Sequence, residues 1–106
     1  MAAVSIVVVD TAEFRRWFAG VRDRRAKGRI LARLRRLSLG NFGDARSLGG
    51  GLHELRIDYG PGYRVYFARH GGALVLLALG GDKSRQKIDI ARAREVAAAW
   101  EPENGH

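Results

Sequence analysis

A chain of 106 residues has room for one hydrophobic core and not for two, and its 46% hydrophobic content excludes global disorder. Lys and Arg number 19 against 11 Asp and Glu, a formal charge of +8. The charge is carried almost entirely by arginine, since the only lysines are Lys27, Lys83 and Lys87, and the lack of cysteine excludes disulfides and thiolate metal sites and fits a reducing cytoplasm.

The stretch VSIVVV, Val4 to Val9, is β-branched and apolar and predicts a strand. Asp10 or Thr11 then offers an N-cap, with Glu13 in the first turn, where negative charge suits the helix dipole. Phe14, Trp17, Phe18 and Val21 recur at helical spacing and define an apolar stripe. A second helix spans Asp23 to Leu39, with Ile30, Leu31, Leu34 and Leu37 on one face. Arginines and Lys27 fill the rest of its surface, and Gly20 and Gly28 blur where one helix stops and the next begins.

Gly40 to Gly51, GNFGDARSLGGG, has the glycine density of a connection and no periodicity, and reads as a loop. Three β-runs follow, Leu52 to Tyr59, Tyr63 to Arg69 and Ala73 to Leu79, joined by connections short enough for antiparallel hairpins. ALVLLAL is apolar without alternation, which suits a central strand covered on both faces. Lys87 to Trp100 reads as a last helix with Ile88, Ala91, Val96 and Trp100 near one face, and the tail 101–106 as disordered. The result is a single α+β domain over residues 1–100, in the order β-α-α-β-β-β-α. The opening MAAVSIVVVD lacks the basic region of a signal peptide, and the longest apolar run falls far short of the roughly 20 residues of a membrane span. A soluble, cytoplasmic protein is expected.

Strand parity sorts the side chains of RIDYGPGYRVYF. Leu55, Ile57 and Tyr59 share one face with His53, while Glu54, Arg56 and Asp58 point the other way. On the outgoing strand Tyr63, Val65 and Phe67 lie opposite Arg64, Tyr66 and Ala68. The apolar triplets belong to the core, each side chain contributing on the order of 1.5–3 kcal/mol, which fixes the register. Arg56 and Arg64 therefore share the face away from the core, with Glu54 and Tyr66.

Guanidinium forks suit phosphate and carboxylate oxygens, so the charge points to a polyanion or an acidic protein partner. There is no phosphate-binding Gly-rich loop, zinc helix or serine elbow, and the three histidines have no metal spacing. Arginine is a poor base but stabilises charge building on a phosphate in a transition state. Arg56 and Arg64 are candidates for that role. Lys83, just after the last strand, is a candidate phosphate ligand and proton shuttle. The competing reading pairs Arg56 with Glu54 or Asp58, and Arg64 with an acid elsewhere. The basic helix is a solvated face, an RNA-docking surface or a site for an acidic partner. Arg33, Arg36, Tyr66, Arg85 and Lys87 are candidate contacts to RNA or partner.

The segments LRIDYGPGYRVY and GGDK, within LHELRIDYGPGYRVYF and LVLLALGGDKSRQKIDIARAREVAAAW, resemble the RelE/ParE superfamily of bacterial toxins. More narrowly they resemble the HigB-like addiction module killer proteins of type II toxin–antitoxin systems. The resemblance runs to Trp100, the N-terminal helices matching by pattern. It implies a small basic toxin that cleaves mRNA, typically on the ribosome, without metal or cofactor, the ribose 2′-hydroxyl attacking the adjacent phosphate. By position it assigns the basic cluster to Arg56, Arg64 and Lys83. Two departures stand out: Glu54 replaces a basic residue, and the C-terminal catalytic Tyr or His has no counterpart near Asp89. The implied partners are a cognate antitoxin, mRNA and the ribosome, with DNA reached only through the antitoxin complex. The superfamily also contains ParE-like inhibitors of DNA gyrase, and a third alternative is a binding module acting only with its antitoxin.

Overall fold

The computed structural model describes residues 6–100. Strand β1 (Val7–Asp10) leads into helices α1 (Ala12–Gly20) and α2 (Arg24–Ser38). Four strands follow, β2 (Ala45–Gly49), β3 (Leu52–Ile57), β4 (Tyr63–His70) and β5 (Leu74–Asp82), then a 3-10 turn at Lys83–Arg85 and helix α3 (Gln86–Ala99). The sheet order is β1-β5-β4-β3-β2, with β1 parallel to β5 and the other pairs antiparallel. The fold is α+β, as expected. The start of the predicted first strand and the tail 101–106 lie outside the described residues. Among the described residues no helix is long and apolar enough to cross a membrane.

Caps set the helix starts. The Thr11 hydroxyl accepts the Phe14 N–H at 3.0 Å and lies 2.9 and 3.0 Å from the Leu77 and Ala78 carbonyls, so one buried side chain starts α1 and ties it to β5. Thr11→Ala is expected to cost about 1–2 kcal/mol in urea unfolding, with Thr11→Ser close to wild type. At α2 the Asp23 carboxylate accepts from the Arg25 and Ala26 N–H groups. Gly20 ends α1, and Gly28 lies within α2.

Helices α1 and α2 cover one sheet face, burying Phe14, Ile30 and Leu37 against Leu55, Val65 and Phe67. Leu31, expected on that buried face, is 53% exposed, because the packed stripe of α2 runs through Ala26, Ile30, Leu34 and Leu37. On the opposite face α3 packs over Leu52, Tyr66, Ala78 and Leu79. The face of β3 and β4 read as lying away from the core is thus a second, smaller core, and Glu54 and Tyr66 are fully buried in it.

Three further expectations are corrected. Residues 40–51 are not all loop, since Ala45–Gly49 pairs antiparallel with β3, Arg46 opposite Glu54. The order is therefore β-α-α-β-β-β-β-α. The inner side of α3 is Asp89, Ile90, Ala93, Val96 and Ala97, whereas Ile88 and Ala91 are exposed. A carboxylate sits inside that stripe because Gly81 makes room for it: an added Cβ at Gly81 would overlap the Asp89 carboxylate, as one at Gly80 would overlap the Trp17 indole. The last strand, covered from both sides, is buried from Val75 to Gly81, as its unbroken apolar run predicted.

Candidate functional site

The β3–β4 hairpin builds the site from its turn outward. Gly60 and Gly62 have φ of +57° and +83°, conformations that favour glycine, and the Gly62 N–H donates to the Tyr59 carbonyl at 3.1 Å. The turn sets Arg56 directly opposite Arg64. The end of β5 then folds back over it. Asp82 caps the 3-10 turn by accepting the Ser84 N–H, and the Lys83 N–H donates to the Gly62 carbonyl at 2.8 Å. A Cβ at Gly62 would lie 3.3 Å from Lys83 Cβ and 3.5 Å from Arg64 Nη1, so glycine lets both cations close on the turn.

Arg56, Arg64 and Lys83 consequently line one open cleft of about 310 Å³, with Gly62, Asp44 and Asp58. The three residues singled out for phosphate chemistry are brought together. Tyr66 is not with them. It is fully buried beneath α3, so it is no contact for RNA or partner in this fold, and parity misplaced it because α3 covers the face it points to. Arg85 and Lys87 are exposed beyond Lys83, and Arg33 and Arg36 lie on α2.

The cations differ in how they are held. Arg64 is 9% exposed, its Nη1 donates to the Tyr63 carbonyl at 3.1 Å, and its buried Nε has no hydrogen-bond partner. Its nearest carboxylate oxygen is Glu54 Oε2, 3.9 Å from Nε. Glu54 in turn accepts from Arg46 Nε at 2.9 Å and from the Gln86 amide. Arg56 is more exposed and donates to Asp44 through Nη2 at 2.9 Å, not to Glu54 or Asp58 as the competing reading had it. Lys83 is exposed and has no carboxylate within ion-pair distance among the described residues.

Titration follows from this packing. Burial pushes the Tyr66 phenol well up, helped by the Glu54 and Asp89 charges, so it stays a neutral group beneath the cations. Burial also raises the Asp89 carboxyl, Arg85 opposing and Asp82 adding. Among the described residues no group of three or more His, Asp or Glu side chains is arranged to hold a metal. His53 stacks on Phe67 at 5.2 Å and His70 packs on Trp100, both away from the cleft.

Asp44 is the site residue missed from sequence; Glu54 lies on the expected face, but its neighbours are Arg46, Gln86 and Arg64 rather than Arg56. Asp44 becomes a partner only because β2 adds to the sheet edge, where the Arg56 N–H donates to the Asp44 carbonyl at 2.9 Å. Chemically, the cleft offers three cations against the carboxylates of Asp44 and Asp58, one cation desolvated and preorganised, one pinned and one free. Asp44→Asn unpins Arg56 and removes a negative charge. It is expected to tighten binding of a 2′-O-methyl oligoribonucleotide about two- to fivefold in fluorescence anisotropy, the scale of an exposed ion pair.

No protein-family model matches the chain. A Haemophilus influenzae protein described only as uncharacterized is 47% identical over 94 residues, covering 89% of this chain and 95% of that protein.

Proposed function

This chain belongs to the family of that Haemophilus influenzae protein, and we propose that it is the toxin of a type II toxin–antitoxin system, a metal-independent, ribosome-dependent mRNA endoribonuclease of the cytoplasm that inhibits translation. The observation that carries the reading is the convergence of Arg56, Arg64 and Lys83 on one cleft, held by the turn and by the last strand. The resemblance of LRIDYGPGYRVY and GGDK to RelE/ParE toxins supports it.

In the proposed reaction the ribose 2′-oxygen forms a bond to the adjacent phosphorus, and the bond from phosphorus to the 5′-oxygen breaks. The 2′-hydroxyl proton leaves to a base and the departing 5′-oxygen gains a proton, so no water is consumed. Negative charge grows on the equatorial oxygens, where Arg64, in its nearly dry setting, stabilises it most. Arg56 and Lys83 hold the phosphate. Of the side chains lining the cleft, Asp44, Asp58 and Lys83 are those able to exchange a proton. A cognate antitoxin with an acidic segment is the expected inhibitor, given the formal charge of +8.

The test is a translation extract supplied with a defined mRNA. The expected products end in 2′,3′-cyclic phosphate and 5′-hydroxyl and appear only with ribosomes present; intact mRNA would overturn the reading. One observation favours a non-nucleolytic alternative of the ParE kind: among the described residues two carboxylates and no imidazole line the cleft. Chromosome breakage with intact mRNA would select it.

A further inference from the structure

The cationic cleft does not end at Arg56. On the other side of the β3 end, Arg29, Arg33 and Arg36 line a second cleft of about 300 Å³ with Ala32, Ile57 and Asp58. Asp58 lines both clefts. A direct bond also joins them, Arg33 Nη1 donating to the Arg56 carbonyl at 2.7 Å. The spacing of these arginines, i, i+4 and i+7, aligns them along one face of α2 over about 10 Å.

Among the described residues the lining sets three guanidinium groups against the one carboxylate of Asp58. Arg33 is fixed in place, its Nη1 bonded to β3 and its Nη2 buried without a hydrogen-bond partner against Gly43, where an added Cβ would lie 3.0 Å from it. The Arg29 guanidinium is held over the Tyr59 ring at 4.5 Å. Among the described residues none of the three arginines has a carboxylate within ion-pair distance. Burial lowers the Arg33 pKa, Asp44 opposing and Arg36 adding to it, so this guanidinium is held partly out of water.

We propose that Arg29, Arg33 and Arg36 form a second phosphate-binding subsite, continuous with the Arg56–Arg64–Lys83 cleft, so that an extended single strand of RNA is held by both. This rests on the ribonuclease reading for the identity of the polyanion. RNA is favoured over an acidic protein segment because the arginines open onto the cleft that handles phosphate, and because planar forks in series match a chain of phosphates.

The test is the salt dependence of binding to a 2′-O-methyl oligoribonucleotide, which lacks the attacking hydroxyl and stays intact. Each phosphate contact contributes about 0.7 to the slope of log K against log salt for a single strand. Arg29→Gln with Arg36→Gln removes two exposed charges and leaves the Arg33 bond to β3 in place; the slope is expected to fall by about 1.4, and by about 2 when Arg33→Gln is added. A slope equal to wild type in the double variant overturns the subsite. So does an unchanged RNA slope accompanied by lost binding of poly-glutamate, which would make the arginines a protein-docking face. If wild type cleaves no mRNA while the slopes fall as stated, the subsite stands and the ribonuclease reading fails. If cleavage is seen and the slopes do not fall, the reverse holds.

Discussion

Replacing Arg64 by alanine is expected to lower cleavage of a defined mRNA in a translation extract by a factor of about 10²–10³, the usual cost of one preorganised donor to transition-state charge. The size follows from burial. Arg64 is 9% exposed, lines the cleft, and has its nearest carboxylate oxygen at 3.9 Å, so its charge is largely desolvated but not neutralised by a tight ion pair. Arg64→Lys should not restore the rate, because a point charge does not reproduce the planar fork. Arg56→Ala should cost less, since Arg56 is more exposed and already bonded to Asp44. The loss in Arg64→Ala should not come from unfolding: Glu54 keeps Arg46 and Gln86, so thermal melting should move little. Cleavage by Arg64→Ala at the wild-type rate would remove Arg64 from the site.

Replacing Glu54 by alanine should have the opposite signature, a loss of stability of about 3 kcal/mol. Glu54 is fully buried between Arg46, Gln86 and Arg64. Without it the Arg64 guanidinium is left in a nearly dry setting with no carboxylate beside it, whereas the half-exposed Arg46 returns to water. That asymmetry places the cost at the low end of what breaking a buried pair entails, and it corresponds to a drop in melting temperature of roughly 15 °C for a domain of this size. Glu54→Gln keeps the shape and an acceptor but not the charge, and should fall between. Unchanged melting of Glu54→Ala would show that Arg64 is held by other contacts.

The parts of the fold visible in sequence are those where one periodicity dominates. Alternation in RIDY and YRVYF put Arg56 and Arg64 on one face, and they are direct cross-strand partners. The unbroken apolar run of β5 foretold burial on both sides. What hid was contributed by neighbours. Strand β2 buries only parts of Ala45 and Leu48, three residues apart, and Gly49 with the flanking Gly50 and Gly51 gives it the look of a loop. The buried side of α3 includes Asp89, whose charge erased the stripe that places Tyr66 in a core. A register shift between Tyr66 and Phe67 in the pairing with β5 further breaks simple parity there. The cationic trio was legible because all three residues flank turns; the carboxylate that pins Arg56 was not, because Asp44 reaches it only once β2 has joined the edge.

The ribonuclease assignment is tested most directly by expressing the chain in bacteria without an antitoxin and mapping mRNA 5′ ends across the transcriptome. The predicted result is new 5′-hydroxyl ends inside translated reading frames, present with wild type and absent with Arg64→Ala at equal protein level. Growth arrest with intact mRNA and broken chromosomes would contradict it.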